Sequence, residues 1–103
     1  MRRKRPERTE RRARERELRR LVRDRERLAE LEPGGSAERP IDIASPAVIE
    51  GRVGSLRCPQ CDGNYAIDDH QSASPGVRVV SVTCRMCRTS RQYWFRLGSS
   101  APN

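Results

Sequence analysis

Aromatic side chains are scarce: Tyr65, Tyr93, Trp94 and Phe95 are the whole supply in 103 residues, and only 34% of the chain is apolar. That excludes a large hydrophobic core, because a segment of this size buries too little surface to fold firmly without a staple. Histidine is nearly absent, with His70 alone, and no Ser-His-Asp set appears. There is no glycine-rich phosphate loop and no metal-binding carboxylate cluster, and neither an enzyme nor a small-molecule substrate is expected. No apolar run approaches the roughly 18 residues of a membrane helix. The first 30 residues are charged throughout and hold no apolar core of a secretion signal. The expectation is a cytoplasmic chain without membrane contact, in which thiols stay reduced.

Against those absences stand four cysteines. Cys58-Pro59-Gln60-Cys61 and Cys84-Arg85-Met86-Cys87 are two C-x-x-C pairs. Four thiolates in two such pairs suit one tetrahedral zinc ion, and a closed set of four sulfurs gives a structural site. Iron in a four-cysteine site uses the same ligands. A thioredoxin-type redox pair would need a βαβ context that the pattern lacks. Two disulfides would need an oxidising compartment.

Residues 1–6 form a basic arm, expected to be disordered. From Glu7 to Glu32 there is no glycine or proline, and Arg, Glu, Leu and Ala dominate, which predicts one charged helix over 7–32. Glu7–Arg11, Glu10–Arg14 and Glu15–Arg19 are spaced as i,i+4 pairs. Pro33-Gly34-Gly35 stops the helix. Its second half carries a broken apolar stripe, Leu18, Leu21, Val22 and Leu28, which is either a solvated face with a sticky end or a short coiled-coil seam interrupted by Arg25.

Residues 33–50 read as a Pro/Gly linker partly packed on the module after it. Ile41 and Ile43 suit a short extended piece, while Ser45-Pro46 can instead open a helical turn. Val48, Ile49, Val53 and Leu56 are apolar enough to pack. Residues 51–98 form the folded module, and 99–103 a disordered tail. Tyr65–Asp68 alternates like a strand, Ser72–Gly76 has loop composition, Val77–Thr83 is β-branched, and Arg91–Leu97 alternates cleanly. The predicted fold is a small zinc-stapled β domain, a three-stranded antiparallel sheet, preceded by a single charged helix.

The stretch Cys58-Pro59-Gln60-Cys61-Asp62-Gly63 resembles the C-P-x-C-x-G knuckle of four-cysteine zinc ribbons. The resemblance covers about 40 residues and implies Cys58, Cys61, Cys84 and Cys87 as ligands of one structural Zn2+. A glycine at 63 would permit positive φ. Many ribbons have glycine directly after their last cysteine, where this chain has Arg88. The whole chain also resembles small bacterial proteins that append such a ribbon to a charged helix. Ribbons of transcription elongation factors carry an acidic pair at a hairpin tip. Here Asp68 and Asp69, with His70, sit near the end of a strand, and a hydrated turn is the simpler account.

The net charge of +8 points towards polyanions. Of the 22 basic residues all but Lys4 are arginine, a bias that a GC-rich coding sequence also produces. Arg78, Arg85, Arg88, Arg91 and Arg96, with Trp94 as a stacking surface, form a candidate nucleic-acid interface. The simpler account of Trp94 is that it covers the small core against Val48 or Ile49, since a sheet this small needs its large side chains for burial. The alternative partner is a protein, or a second copy of the chain, held by Leu18, Leu21, Val22 and Leu28. In the N-terminal helix the acids interleave with the arginines along the sequence, which dilutes its field.

Overall fold

The computed structural model describes residues 4–98, with side chains described from Glu7 onward. The first three residues of the basic arm and the tail 99–103 lie outside the described residues. Helix α1 runs Lys4–Leu31, so the last three residues assigned to the arm are helical. Pro6 is tolerated because it falls in the first turn, where its missing N–H has no helical partner to lose. Of the three spaced acid–base pairs, Glu15–Arg19 meets at 4.0 Å, and both side chains are largely exposed. Such a pair adds little.

The chain reverses after α1 at Gly34 and Gly35. Gly34 has φ +83, and a Cβ there would stand 2.7 Å from the Ile41 side chain. A Cβ on Gly35 would meet the Ala29 carbonyl oxygen at 2.0 Å. Two glycines are therefore needed for two different reasons.

Strand β1 (Ile41–Ile43) comes next, then a 3-10 turn at Pro46–Val48 that leads into helix α2 (Ile49–Ser55). Both readings of this stretch are realised, one after the other. Strands β2 (Tyr65–Ser74), β3 (Val77–Cys84) and β4 (Ser90–Leu97) complete a single sheet of order β1-β4-β3-β2. The sheet is thus four-stranded and mixed, not three-stranded and antiparallel. The extra strand is β1, which pairs in parallel with β4 through Ile41–Phe95, Asp42–Arg96 and Ile43–Leu97. It closes the β4 edge, which would otherwise present unpaired backbone groups.

The expected loop at 72–76 is also corrected. Ser72 and Ser74 pair with Arg78 and Val77, and the turn is Pro75-Gly76 alone, with Gly76 at φ +78. Polar serines serve here because this part of β2 is exposed on both faces. Register shifts between Ile67 and Asp69, and between Ser72 and Ser74, mark two irregularities in β2.

Directly opposed residues of an antiparallel pair share a face. Val80–Tyr93, Val82–Arg91 and Arg78–Phe95 lie on the inner face; Val79–Trp94, Ser81–Gln92 and Val77–Arg96 lie on the outer one. The core gathers Val80, Val82, Tyr93 and Phe95 with Ile41, Ile43, Tyr65 and, from α2, Ile49 and Val53. Cys58 and Cys84 belong to the same cluster. Val48 does not pack and stays exposed. Trp94 is half-buried on the outer face, so it does not cover this core against Ile49; its backbone N–H donates to the Gly34 carbonyl at 2.9 Å.

Candidate metal centre

Two loops carry the cysteines. The first, residues 58–64, joins α2 to β2; the second, residues 84–89, joins β3 to β4. They repeat one hydrogen-bond pattern. The Cys58 N–H donates to the Gly63 carbonyl at 2.9 Å, and the Cys84 N–H to the Thr89 carbonyl at 2.9 Å. The Asp62 N–H returns to the Cys58 carbonyl at 2.7 Å, and the Arg88 N–H to the Cys84 carbonyl at 3.0 Å. The Gln60 N–H points at Cys58 Sγ at 3.4 Å, and the Met86 N–H at Cys84 Sγ at 3.3 Å. Donors aimed at sulfur favour the thiolate form that binds metal.

Each loop closes on a residue in the left-handed region, Asp62 at φ 65 and Arg88 at φ 66. The positive φ expected at Gly63 lies one residue earlier. Gly63 serves the close approach of the loops instead. A Cβ there would stand 2.7 Å from Met86 Cγ and 2.9 Å from Cys84 Sγ, so its bare backbone lets the two loops interlock. Arg88, where many ribbons have glycine, takes the left-handed conformation itself.

The four sulfurs lie within 4.8 Å of one another. Cys58 and Cys87 Sγ are 3.7 Å apart, and Cys61 and Cys84 Sγ 3.4 Å. A tetrahedron with metal–sulfur bonds of about 2.3 Å has edges of about 3.8 Å. The cluster therefore fits a tetrahedral ion with little adjustment. The first cysteine of each pair is buried and the second exposed. So the centre is rooted in the core and reaches the surface.

The thiols divide their protons unequally. The Cys87 N–H, and with it the Met86 N–H, hold Cys84 below the ordinary thiol value against the opposing effect of burial. Cys87 is drawn down to about 6, chiefly by the Thr89 hydroxyl and N–H. Cys61 is pushed up to about 12, chiefly by its hydrogen bond to Cys84 Sγ. Sulfurs this close cannot all carry full charge alone; a bound cation takes the place of the shared protons.

One polar joint fastens α1 to the first loop. Gln60 Nε2 donates to the Val22 carbonyl at 3.0 Å and to Glu26 Oε2 at 2.7 Å, and Arg25 donates to the Gln60 carbonyl at 3.4 Å. Arg91 from β4 grips Glu26 with both terminal nitrogens, Nη1 reaching Oε1 at 2.8 Å. Burial raises the Glu26 carboxyl, but hydrogen bonds from Arg91 and Gln60, with the Arg91 charge, outweigh it and leave the group below its ordinary value. Sequence reasoning missed Gln60 and Glu26 as partners. Glu26 lies 34 residues from Gln60 and 65 from Arg91, and no local signal could have found either pair.

The six residues assigned to a nucleic-acid interface do not share one surface. Arg85 and Arg88 are exposed on the second loop. Arg78, on the inner face, lies 3.5 Å from His70 Nε2. Arg91 is committed to Glu26, with its side chain 9% exposed. Trp94 and Arg96 are on the outer face, where Arg96 Nε donates to Asp42 Oδ1 at 2.8 Å. Asp68 accepts from the Thr83 hydroxyl and Asp69 from Gln71, with both acids within β2 and away from the hairpin tip. Leu18, Leu21, Val22 and Leu28 are all exposed, from 43% to 63%. Among the described residues no helix is long and apolar enough to cross a membrane.

Comparison with protein-family models, curated proteins and solved structures found no match.

Proposed function

We propose that Cys58, Cys61, Cys84 and Cys87 hold one zinc ion, that the module is a zinc ribbon with an added parallel strand, and that the chain works by binding rather than by catalysis. The observation that carries this reading is the closed set of four sulfurs. It leaves no position for water or substrate on the metal. Softness favours the same assignment, since thiolates select zinc or iron over magnesium and calcium. The metal's role is to stabilise: in zinc-finger peptides the ion contributes about 10–16 kcal/mol of apparent binding free energy, and that is folding free energy. With eleven buried apolar residues as its core, this module depends on such a contribution.

The partner in this reading is nucleic acid or a complex that handles it. Charge supports it: residues 7–32 hold 10 basic and 8 acidic residues, and the preceding six residues add four more cations, so the N-terminal segment carries most of the +8. The second reading, an adaptor that docks a protein or a second copy of the chain, is supported by Leu18 and Leu28, which stand 61% and 63% exposed on α1. Metal analysis tests the centre. One zinc per chain, with cobalt substitution giving the intense thiolate-to-cobalt absorption of a four-sulfur site, is the expected result; a chain that folds unchanged in chelator overturns it. Nucleic-acid binding that weakens steeply with salt separates the two partner readings, because docking through leucines is comparatively insensitive to salt.

A further inference from the structure

Along the sequence the acids of α1 interleave with its arginines; around the helix axis the two separate. At about 100° of rotation per residue, Arg12, Arg16, Arg19, Arg20, Arg23 and Arg27 fall within an arc of about 100°. No acid between Arg12 and Arg27 enters that arc: Glu15, Glu17, Asp24 and Glu26 all lie outside it. All six arginines are exposed. The stripe extends roughly 22 Å along the axis.

The ribbon shapes this stripe in two ways. The acids nearest the arc on the ribbon side are Glu15 and Glu26. Glu15 faces Arg19, and Glu26 is withdrawn by Arg91 and Gln60. The contacts made by Arg25 and Glu26 also set the orientation of α1, with the arc centred about a third of a turn from the side that meets the ribbon. The cations consequently face solvent.

We propose that this arginine stripe docks on the phosphate backbone of duplex nucleic acid. The inference rests on the nucleic-acid reading above and moves its interface from the ribbon to α1. A duplex carries one charge per about 1.7 Å of axis, so a stripe of this length lies beside a dozen or so phosphates. Guanidinium groups meet phosphate oxygens in bidentate fashion. A single strand is the poorer partner, because its binding depends on aromatic stacking and α1 has no aromatic residue. An anionic membrane is poorer still: a helix lying on lipid needs a continuous apolar face opposite its cations, and here Arg14 and Arg25 interrupt the leucines on that side.

The test uses the zinc-loaded full chain and a labelled mixed-sequence DNA duplex of about 20 base pairs, read by fluorescence anisotropy across a salt series. R16Q/R20Q/R23Q/R27Q is compared with R85Q/R88Q on the ribbon. The expected result is a loss of about 100-fold for the helix variant at low salt, and a fall of about 3.6 in the slope of log K against log salt, since each of the four phosphate contacts contributes about 0.9. The ribbon variant is expected to bind within a few-fold of wild type. Equal binding by the helix variant and wild type overturns the stripe and leaves the nucleic-acid reading standing. Failure of wild type to bind at low salt overturns both. Competition by polyglutamate as effective as by unlabelled duplex, at equal charge, overturns the duplex as partner. Circular dichroism is read alongside; should the fourfold variant lose helix, R20Q and R23Q singly, each expected to lower the slope by about 0.9, decide the matter.

Discussion

The two cysteine loops share one backbone design and differ in what they meet. Both close with the same carbonyl and sulfur hydrogen bonds, and both end on a left-handed residue. The middle of the first loop, Gln60, is enclosed by Val22, Arg25 and Glu26 of α1. Its counterpart in the second loop, Met86, is 74% exposed. Holding a metal needs only the repeated local design. Orienting the long helix needs a side chain in which the loops differ, Gln60 against Met86. The centre therefore does two jobs: it joins the two loops of the sheet module, and through its first loop it fixes the direction in which α1 leaves the body.

The harshest way to break the symmetry is to remove a ligand. Cys84→Ser, at a fully buried sulfur, is expected to abolish tight metal binding and leave the sheet module unfolded, seen as loss of dispersion in a proton–nitrogen spectrum. The equivalent change at exposed Cys87 is expected to weaken the metal while leaving residual fold, because water can replace that ligand at the surface. Equal effects at the two positions would contradict a centre rooted in the core.

Next in size is Gly63→Ala. The added carbon meets Met86 Cγ at 2.7 Å and Cys84 Sγ at 2.9 Å, so the loops must separate, at a cost of about 1–3 kcal/mol. Met86→Ala in the same chain is expected to recover part of that loss, measured by denaturant unfolding of the metal-loaded protein.

The joint to α1 comes third. Glu26→Gln leaves the largely buried Arg91 without its charged partner and is expected to cost about 1–2 kcal/mol, with metal affinity unchanged. Hydrogen exchange over residues 20–30 reads the release. Because Glu26 titrates below its ordinary value of 4.5 in the folded chain, its contribution is present above pH 4.5 and is lost as pH falls through that lowered value. Helix docking that persists unchanged into stronger acid would sink this account.

The smallest expected effect is a gain. Arg88→Gly relieves a left-handed residue and is expected to stabilise by up to about 1 kcal/mol, whereas Asp62→Gly gains less because aspartate tolerates that conformation better. Thermal unfolding of the two metal-loaded variants compares them, and a larger gain at Asp62 would contradict the shared closing geometry.

The legible parts were those with short-range signals. The cysteine spacing announced the cluster, the absence of glycine and proline from 7 to 32 announced a helix, and alternation announced β4. Strand β1 was visible only as Ile-Asp-Ile; its pairing with β4 joins residues about 54 apart and has no local trace. The serine-rich end of β2 read as loop because composition reports exposure, and an exposed strand looks like one. The proposed basic surface of the ribbon scattered because alternation sends Arg78 and Arg96 to opposite faces, while Arg91 and Arg96 had acidic partners that sequence proximity could not reveal. The arginine stripe was in the sequence all along, but only at helical period; taken in linear order its acids hide it.

Local chemistry follows from spacing within a few residues: which residues can hold a metal, which stretch must be helical, and which side of that helix is cationic. Partnerships come only with the folded chain: β1 closes the sheet edge, Gly63 makes room for Met86, and Arg91 and Gln60 hold Glu26. Those contacts join residues brought together by the folding of the whole chain, and their energies exist only once the backbone between them is ordered.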